Sequence, residues 1–295
     1  MNDNNHKAVA PSWHQAWLWP ALFSLLAFAA NSIFCRFALT EGGIDPQSFT
    51  VVRLASGALF LWLLTHRRRS PSAASGSWKG GLALFLYAYL FSVAYVELGA
   101  GVGALILFGA VQLTMFAWAW LKGERVRANV LIGMLIAFAG LIALLLPGAN
   151  TPALGSSLLM LVAGAAWGAY SLIGRGSTDP VADTTGNFAR SLVFLPGLAL
   201  LLAWGEGPQL GVAGLLYAVA SGALASGAGY VVWYGVVKRI SAQQAATLQL
   251  SVPILAALGG VLLLGEPMSV RLLATSATVL GGVALALLPR RQTAA

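Results

Sequence analysis

Stretches of apolar residues alternate along this chain with short polar, charged or Gly/Pro-marked breaks. The apolar runs fall at 16–39, 46–65, 79–97, 100–121 and 127–146, then at 153–174, 184–203, 211–235, 242–264 and 270–289. A helix crossing the roughly 30 Å hydrocarbon layer of a bilayer needs about 20 such residues. The runs do not show the short alternating pattern of a barrel strand, and backbone within lipid must satisfy its own hydrogen bonds, so they predict helices. The breaks include His66-Arg67-Arg68-Arg69, Lys122-Gly123-Glu124-Arg125, Pro147-Gly148, Asp179-Pro180, Gly205-Glu206-Gly207-Pro208, Lys238-Arg239 and Gly265-Glu266-Pro267. A short Gly-rich join, Glu97 to Gly103, divides the third run from the fourth.

Composition agrees with that pattern. Of 295 residues, 58% are hydrophobic and 9% charged, against about 45–50% and about 25% in an ordinary soluble domain. A soluble enzyme, a DNA-binding protein and a disordered scaffold are excluded on these grounds, leaving an all-α integral membrane protein. The polar start of the chain, 1–15, leads into an apolar stretch longer than a signal-peptide core and without a clear cleavage site, so it is read as a retained first span. The net charge of +8 reads as positive-inside bias rather than as a nucleic-acid footprint. With the N-terminus inside, thirteen basic residues fall in cytoplasmic segments: Lys7, Arg67, Arg68, Arg69, Lys79, Lys122, Arg125, Arg127, Arg175, Lys238, Arg239, Arg290 and Arg291. Three fall on the other side (Arg36, Arg53 and Arg271), and Arg190 sits just within its span. Ten spans with both termini cytoplasmic follow.

The chain also repeats. Arg36, Arg53 and Gly123-Glu124 in the first half are echoed by Arg175, Arg190 and Gly265-Glu266 in the second. Each half holds five spans, so the second enters the membrane from the opposite side. The expected architecture is ten transmembrane helices as two inverted five-helix repeats, 16–147 and 153–289, between tails 1–15 and 290–295. Transporters are commonly built this way, with a substrate site near the midplane between the halves. A channel shows rings of like residues or a filter loop instead, and internal duplication leaves room for a monomer.

Trp19-Pro20, Asn31-Ser32, Arg36, Pro46 and Arg53, then Trp167-Gly168-Ala169-Tyr170 with Arg175, and Val252-Pro253 before Leu264-Gly265-Glu266-Pro267, together resemble the EamA type of the drug/metabolite transporter superfamily. The resemblance covers about residues 17–290. It implies ten helices in two inverted repeats and outward movement of small metabolites across a bacterial inner membrane, with amino acids, including aromatic ones, as the expected cargo. The counterpart of Pro253 in the first half falls near Val111-Gln112, so that span lacks the family's proline. A multidrug or other-metabolite permease is the alternative, with an intramembrane enzyme behind it.

Enzyme chemistry has little to stand on. His6, His14 and His66 read as loop residues, and neither G-x-S-x-G nor H-E-x-x-H occurs. The lone Cys35 allows no internal disulfide or cysteine metal cluster. No cofactor is expected, and the expected partners are a small-molecule substrate and the lipid bilayer. Acidic residues lie in loops or at span ends (Glu41, Glu97, Glu124, Glu206, Glu266), and Asn31 stands where a first-span carboxylate would serve a proton relay. Export down the substrate gradient is the expectation.

Candidate binding residues follow from depth in the spans. Tyr87, Phe91 and Tyr95 recur every four residues and share a helix face. Trp167 and Tyr170 share another, and Tyr230, Trp233 and Tyr234 mark the eighth span. Deep rings of this kind either line a cavity for an apolar side chain or pack, whereas Trp13, Trp17, Trp19, Trp78 and Trp204 read as interfacial belts. The mid-span amides Asn31, Gln112 and Gln249 either meet a substrate group or bond another helix. The candidate set is Asn31, Tyr87, Tyr95, Gln112, Trp167, Tyr170, Tyr230 and Gln249. Arg36, Arg53, Arg175 and Arg190 can pair with a carboxylate, but their places near span ends favour snorkelling or tying helix ends. Gly265-Glu266 is expected to cap or pin a helix end. Gly164/Gly168 and the small-residue stretch from Ser221 to Gly229 are expected to let helices approach closely, and Pro196 and Pro253 to kink their spans.

Overall fold

The structure, a computed structural model, describes residues 17–67, 75–123, 128–147, 151–205, 207–239, 248–249 and 251–287. Ten helical segments follow the apolar runs. They are α1 (Leu18–Thr40), α2 (Pro46–His66), α3 (Trp78–Ala94), α4 (Ala100–Leu121) and α5 (Ala128–Leu145) in the first half. The second half has α6 (Leu154–Gly174), α7 (Pro180–Trp204), α8 (Val212–Val237), α9 (Ser251–Leu264) and α10 (Val270–Leu287). Seven of these are long and apolar enough to cross a membrane, and α3, α9 and α10 are shorter apolar helices. The chain is a multi-pass membrane protein. Residues 240–247, the predicted start of the ninth span, lie outside the described residues, as do the charged tails with His6, His14 and Trp13.

Local chemistry sets the helix starts. Asp45 accepts from the Ser48 N–H at 2.7 Å with Pro46 at the first helical position. Asp179 repeats the arrangement before Pro180, accepting from the Val181 and Ala182 N–H groups at 3.1 and 3.2 Å. A side chain that accepts an otherwise unpaired N–H, followed by a residue lacking one, fits a helix start well. Asp183 consequently lies in the first turn of α7 rather than in the preceding loop, and His66 ends α2 with its ring stacked on Trp62. The predicted break at Pro196 appears as a tighter 3₁₀ turn, Leu192–Phe194, just ahead of it. The span lacking the family proline, α4, runs unbroken.

Helices are apolar on most faces. Leu131, Leu135 and Phe138 of α5 and Leu262 and Leu263 of α9 are exposed, as expected of lipid-facing positions. Inside, α5 packs on α10, α4 on α6 and α9, α3 on α6, and α2 on the middle of α8. A Cβ on Gly164 would meet the Leu107 carbonyl of α4 at 2.5 Å, so the predicted small-residue pair is a helix contact. The middle of α8, Ala220–Ala228, is π-helical.

Loops assigned to one side of the membrane touch one another. Gly214 and Gly211 N–H groups donate to the Gly42 and Gly43 carbonyls at 3.0 and 2.9 Å, and Gln209 N–H to Asp45 at 2.9 Å. At the opposite end, Asp183 accepts from Ser75 and from the Gly76 N–H, and Asn187 accepts from the Ser77 N–H. At each end, segments from both halves are thus hydrogen-bonded to each other.

Candidate functional site

Arg53 sits seven residues into α2, about 10 Å along the axis at 1.5 Å per residue. It is 1% exposed and is the one charged side chain buried among the described residues. Its position overturns the reading from sequence, which placed it at a span end. Nε donates to Ser226 Oγ at 3.2 Å, and Nη2 donates to the hydroxyls of Tyr87 and Tyr230, both at 3.1 Å. The guanidinium also lies 5.0 and 5.1 Å from the ring centres of Tyr87 and Phe91, within cation–π range. Its remaining nitrogen, Nη1, has no hydrogen-bond partner. These partners are neutral, and the ion pair found among the described residues is elsewhere, between Arg36 and Glu266.

Four other helices deliver the partners. Asn31 on α1 donates through Nδ2 to Tyr87 Oη at 3.0 Å and accepts from Ser221 of α8. The π-helical stretch of α8 supplies both Ser221 and Ser226, and Tyr230 follows two residues beyond it. Departures of this kind from the α-helical ladder often accompany functional sites. Trp167 of α6 is 2% exposed, with its ring centre 4.7 Å from Tyr230, 5.0 Å from Tyr87, 5.4 Å from Tyr170 and 5.7 Å from Phe28. Its indole N–H has no hydrogen-bond partner either. The result is a buried aromatic cluster beside a cation, with Arg53 Nη1, the Trp167 indole N–H and the Tyr170 hydroxyl left without hydrogen-bond partners.

Five of the eight residues expected from sequence meet here: Asn31, Tyr87, Trp167, Tyr170 and Tyr230. Tyr95 is also buried, but its ring ends the Tyr87–Phe91–Tyr95 ladder and its hydroxyl donates to the Ala100 carbonyl. Gln112 and Gln249 are buried, but they are not among the hydrogen-bond partners of Arg53. Arg53, Phe28, Ser221 and Ser226 belong to the cluster without having been in the expected set. A signal for Arg53 existed, because it lies inside the apolar run 46–65 rather than in the break beside it.

The other arginines do what span-end arginines were expected to do. Arg36 Nε pairs with Glu266 at 3.1 Å while Nη1 donates to the Tyr95 and Val96 carbonyls. Glu266 also accepts from the Ala100 N–H at 2.7 Å, capping α4. Arg190 donates to the Ser75 carbonyl, and Arg175 is exposed at the end of α6. Glu266→Ala removes a cap and leaves Arg36 unpaired, so it should destabilise the detergent-solubilised protein by about 2 kcal/mol. Glu266→Gln, which still has a carbonyl to accept from Ala100, should recover part of this. Thermal unfolding of the three proteins checks both expectations.

Ten apolar helices among the described residues, packed around a polar, aromatic centre, define a multi-pass membrane protein. The EamA-like transporter family matches residues 154–288. A Pseudomonas aeruginosa protein, the uncharacterized protein PA1977, is 54% identical over 275 residues, covering 93% of this chain and 95% of its own. The uncharacterized transporter YwfM of Bacillus subtilis is 28% identical over 271 residues, covering 88% of this chain and 90% of its own. An uncharacterized transporter of Archaeoglobus fulgidus is 24% identical over 272 residues, with 88% and 92% covered. A crystal structure shares the fold with a TM-score of 0.66 at 21% identity, covering 92% of this chain and 96% of that one. The chain belongs to the EamA-like transporter family, within the drug/metabolite transporter superfamily.

Proposed function

We propose that this transporter exports small carboxylate-bearing metabolites, foremost amino acids including aromatic ones, across a bacterial cytoplasmic membrane by alternating access. The observation that carries the reading is Arg53, buried, charged and with Nη1 free, bonded to Tyr87 and Tyr230, on whose rings Trp167 and Tyr170 pack. Ionisable residues within membrane spans usually mark a substrate pathway. A guanidinium suits a carboxylate, and ring faces suit an apolar or aromatic side chain.

Helix contacts support the rocking motion. Exchanging the two halves maps α1 onto α6, α2 onto α7, α3 onto α8, α4 onto α9 and α5 onto α10. The contacts α1–α9 and α4–α6 then become equivalent, as do α3–α6 and α1–α8. Inverted repeats of this kind permit a closed end and an open end to trade places. A cavity of about 210 Å³ at the Ser77–Asp183 end reaches Tyr234, whose ring lies 5.6 Å from that of Tyr170. By the charge tally that end is cytoplasmic, which suits a substrate loaded from inside. Among the described residues no carboxylate is buried, so the substrate gradient is the proposed driving force, without a proton relay.

Liposomes containing the purified protein should take up labelled phenylalanine, tryptophan and threonine saturably, in competition with unlabelled amino acid and without a proton gradient. Flat traces from folded protein would overturn the reading. Trp167→Ala should insert normally yet reduce phenylalanine and tryptophan transport about tenfold through lost ring contacts, with a smaller effect on threonine. An equal loss for all three would assign Trp167 to packing.

A further inference from the structure

We propose that the uncompensated charge of Arg53 makes this carrier an exchanger, trading one carboxylate for another much faster than it moves substrate one way. The inference rests on the reading above, that a substrate carboxylate docks at Arg53. Arginine stays protonated at any accessible pH, so this charge cannot be removed by releasing a proton. At 1% exposure the guanidinium has almost no access to water. The hydroxyls of Ser226, Tyr87 and Tyr230 and two ring faces soften the loss of water, but all of these groups are neutral. Removing an unpaired ion from water is costly even after the protein relaxes.

Alternating access has to pass through a closed state in each direction. Segments from the two halves already meet at each end: Gly42 and Gly43 bond Gly211 and Gly214 at one, and Ser75 to Ser77 bond Asp183 and Asn187 at the other. Opening either end lets water reach the guanidinium, and closing both strips it away. A carboxylate on Nη1 supplies the missing negative charge and lowers the energy of the closed state. The loaded carrier therefore reorients readily, while the return of the carrier without substrate is slow. Substrate waiting on the far side removes that slow step. The accelerating species is defined by its charge, so a carboxylate lacking an amino group qualifies and an amine lacking a carboxylate does not.

The experiment uses liposomes containing the full-length protein, preloaded with labelled phenylalanine and diluted into four solutions: buffer alone, unlabelled phenylalanine, 3-phenylpropionate, or phenethylamine, all at constant chloride. Efflux should be about tenfold faster or more into phenylalanine and into 3-phenylpropionate. Efflux into phenethylamine should match buffer alone. A second series raises external chloride, and it should leave efflux unchanged. Equal efflux into all four solutions would make the protein a one-way carrier and overturn the inference while leaving the transport reading intact. Acceleration by phenethylamine or by chloride would also overturn it, since a substrate carboxylate would then not be the requirement. Absence of any protein-dependent flux would remove the transport reading itself, and this inference with it.

Discussion

Replacing Arg53 with glutamine should weaken binding and transport of amino acids sharply while leaving the protein folded and inserted. The glutamine amide can still donate to Tyr87 or Tyr230, but it brings no charge for a carboxylate. A hydrogen bond to a charged group contributes about 1.5–3 kcal/mol, equivalent to about a 10- to 100-fold loss of affinity at 1.4 kcal/mol per decade. Folding should not suffer, because a buried ion with neutral partners is replaced by a neutral group, and such replacements are often neutral or stabilising. Arg53→Lys gives the informative contrast. It keeps the charge, but an ammonium is compact and lacks the planar fork that reaches Ser226 with one nitrogen and two tyrosines with another. Its affinity should fall between those of the wild type and the glutamine variant. Binding of labelled phenylalanine and thermal unfolding, measured on the same three preparations, separate the roles. Wild-type affinity in Arg53→Gln would make Arg53 a structural residue, and a collapse in thermal stability would do the same.

How far the sequence led to this site depended on which physical signals are local. The start of α2 was legible in the run beginning at Pro46, whereas α7 starts at Pro180, four residues before the expected run, because the cap at Asp179 carries the helix into polar sequence. Loops that the charge tally assigns to the same side do touch, as Gly42 and Gly214 show. The ladder Tyr87, Phe91, Tyr95 was legible as a shared face, with ring centres 5.3 and 4.5 Å apart. Which rung meets the cation was not, because that depends on α2 and α8. Helix α3 ends at Ala94, so Tyr95 turns toward the start of α4 while Tyr87 faces Arg53. Arg53 itself was misread because an arginine near a span end most often reaches for water, and its distance from water is set by neighbouring helices rather than by its own. The amides Gln112 and Gln249 were chosen for depth alone. Depth puts a side chain in the core, but its neighbours depend on which face it occupies. The π-helical stretch of α8 gave a composition signal, small residues from Ser221 to Gly229, that announced close approach without revealing the changed hydrogen-bond spacing.

That close approach makes Gly222 a position where a single added methyl group should do harm at the site itself. A Cβ there would stand 2.1 Å from the Arg53 carbonyl oxygen and 2.2 Å from Ser56 Oγ on α2. The serine side chain can rotate away, but the carbonyl belongs to the backbone of a packed helix. Gly222→Ala must therefore push α8 away from α2. Arg53 lies on one of these helices and its partners Ser226 and Tyr230 on the other, joined by bonds of 3.2 and 3.1 Å that a modest separation would break. Overpacking a close-fitted interior costs about 1–3 kcal/mol, and here the displaced groups are also those proposed to hold the substrate. Gly222→Ala should lower thermal stability and substrate affinity together. Gly235→Ala is the control, since it lies on the same helix with nothing within 4 Å of the added carbon. It should be neutral or slightly stabilising, as alanine generally is over glycine inside a helix. If the two variants behave alike, α2 and α8 are not held at the separation described, and the bond from Arg53 to Ser226 does not define the site. If Gly222→Ala alone loses both properties, the packing of two helices and the positioning of one charge share a single structural cause.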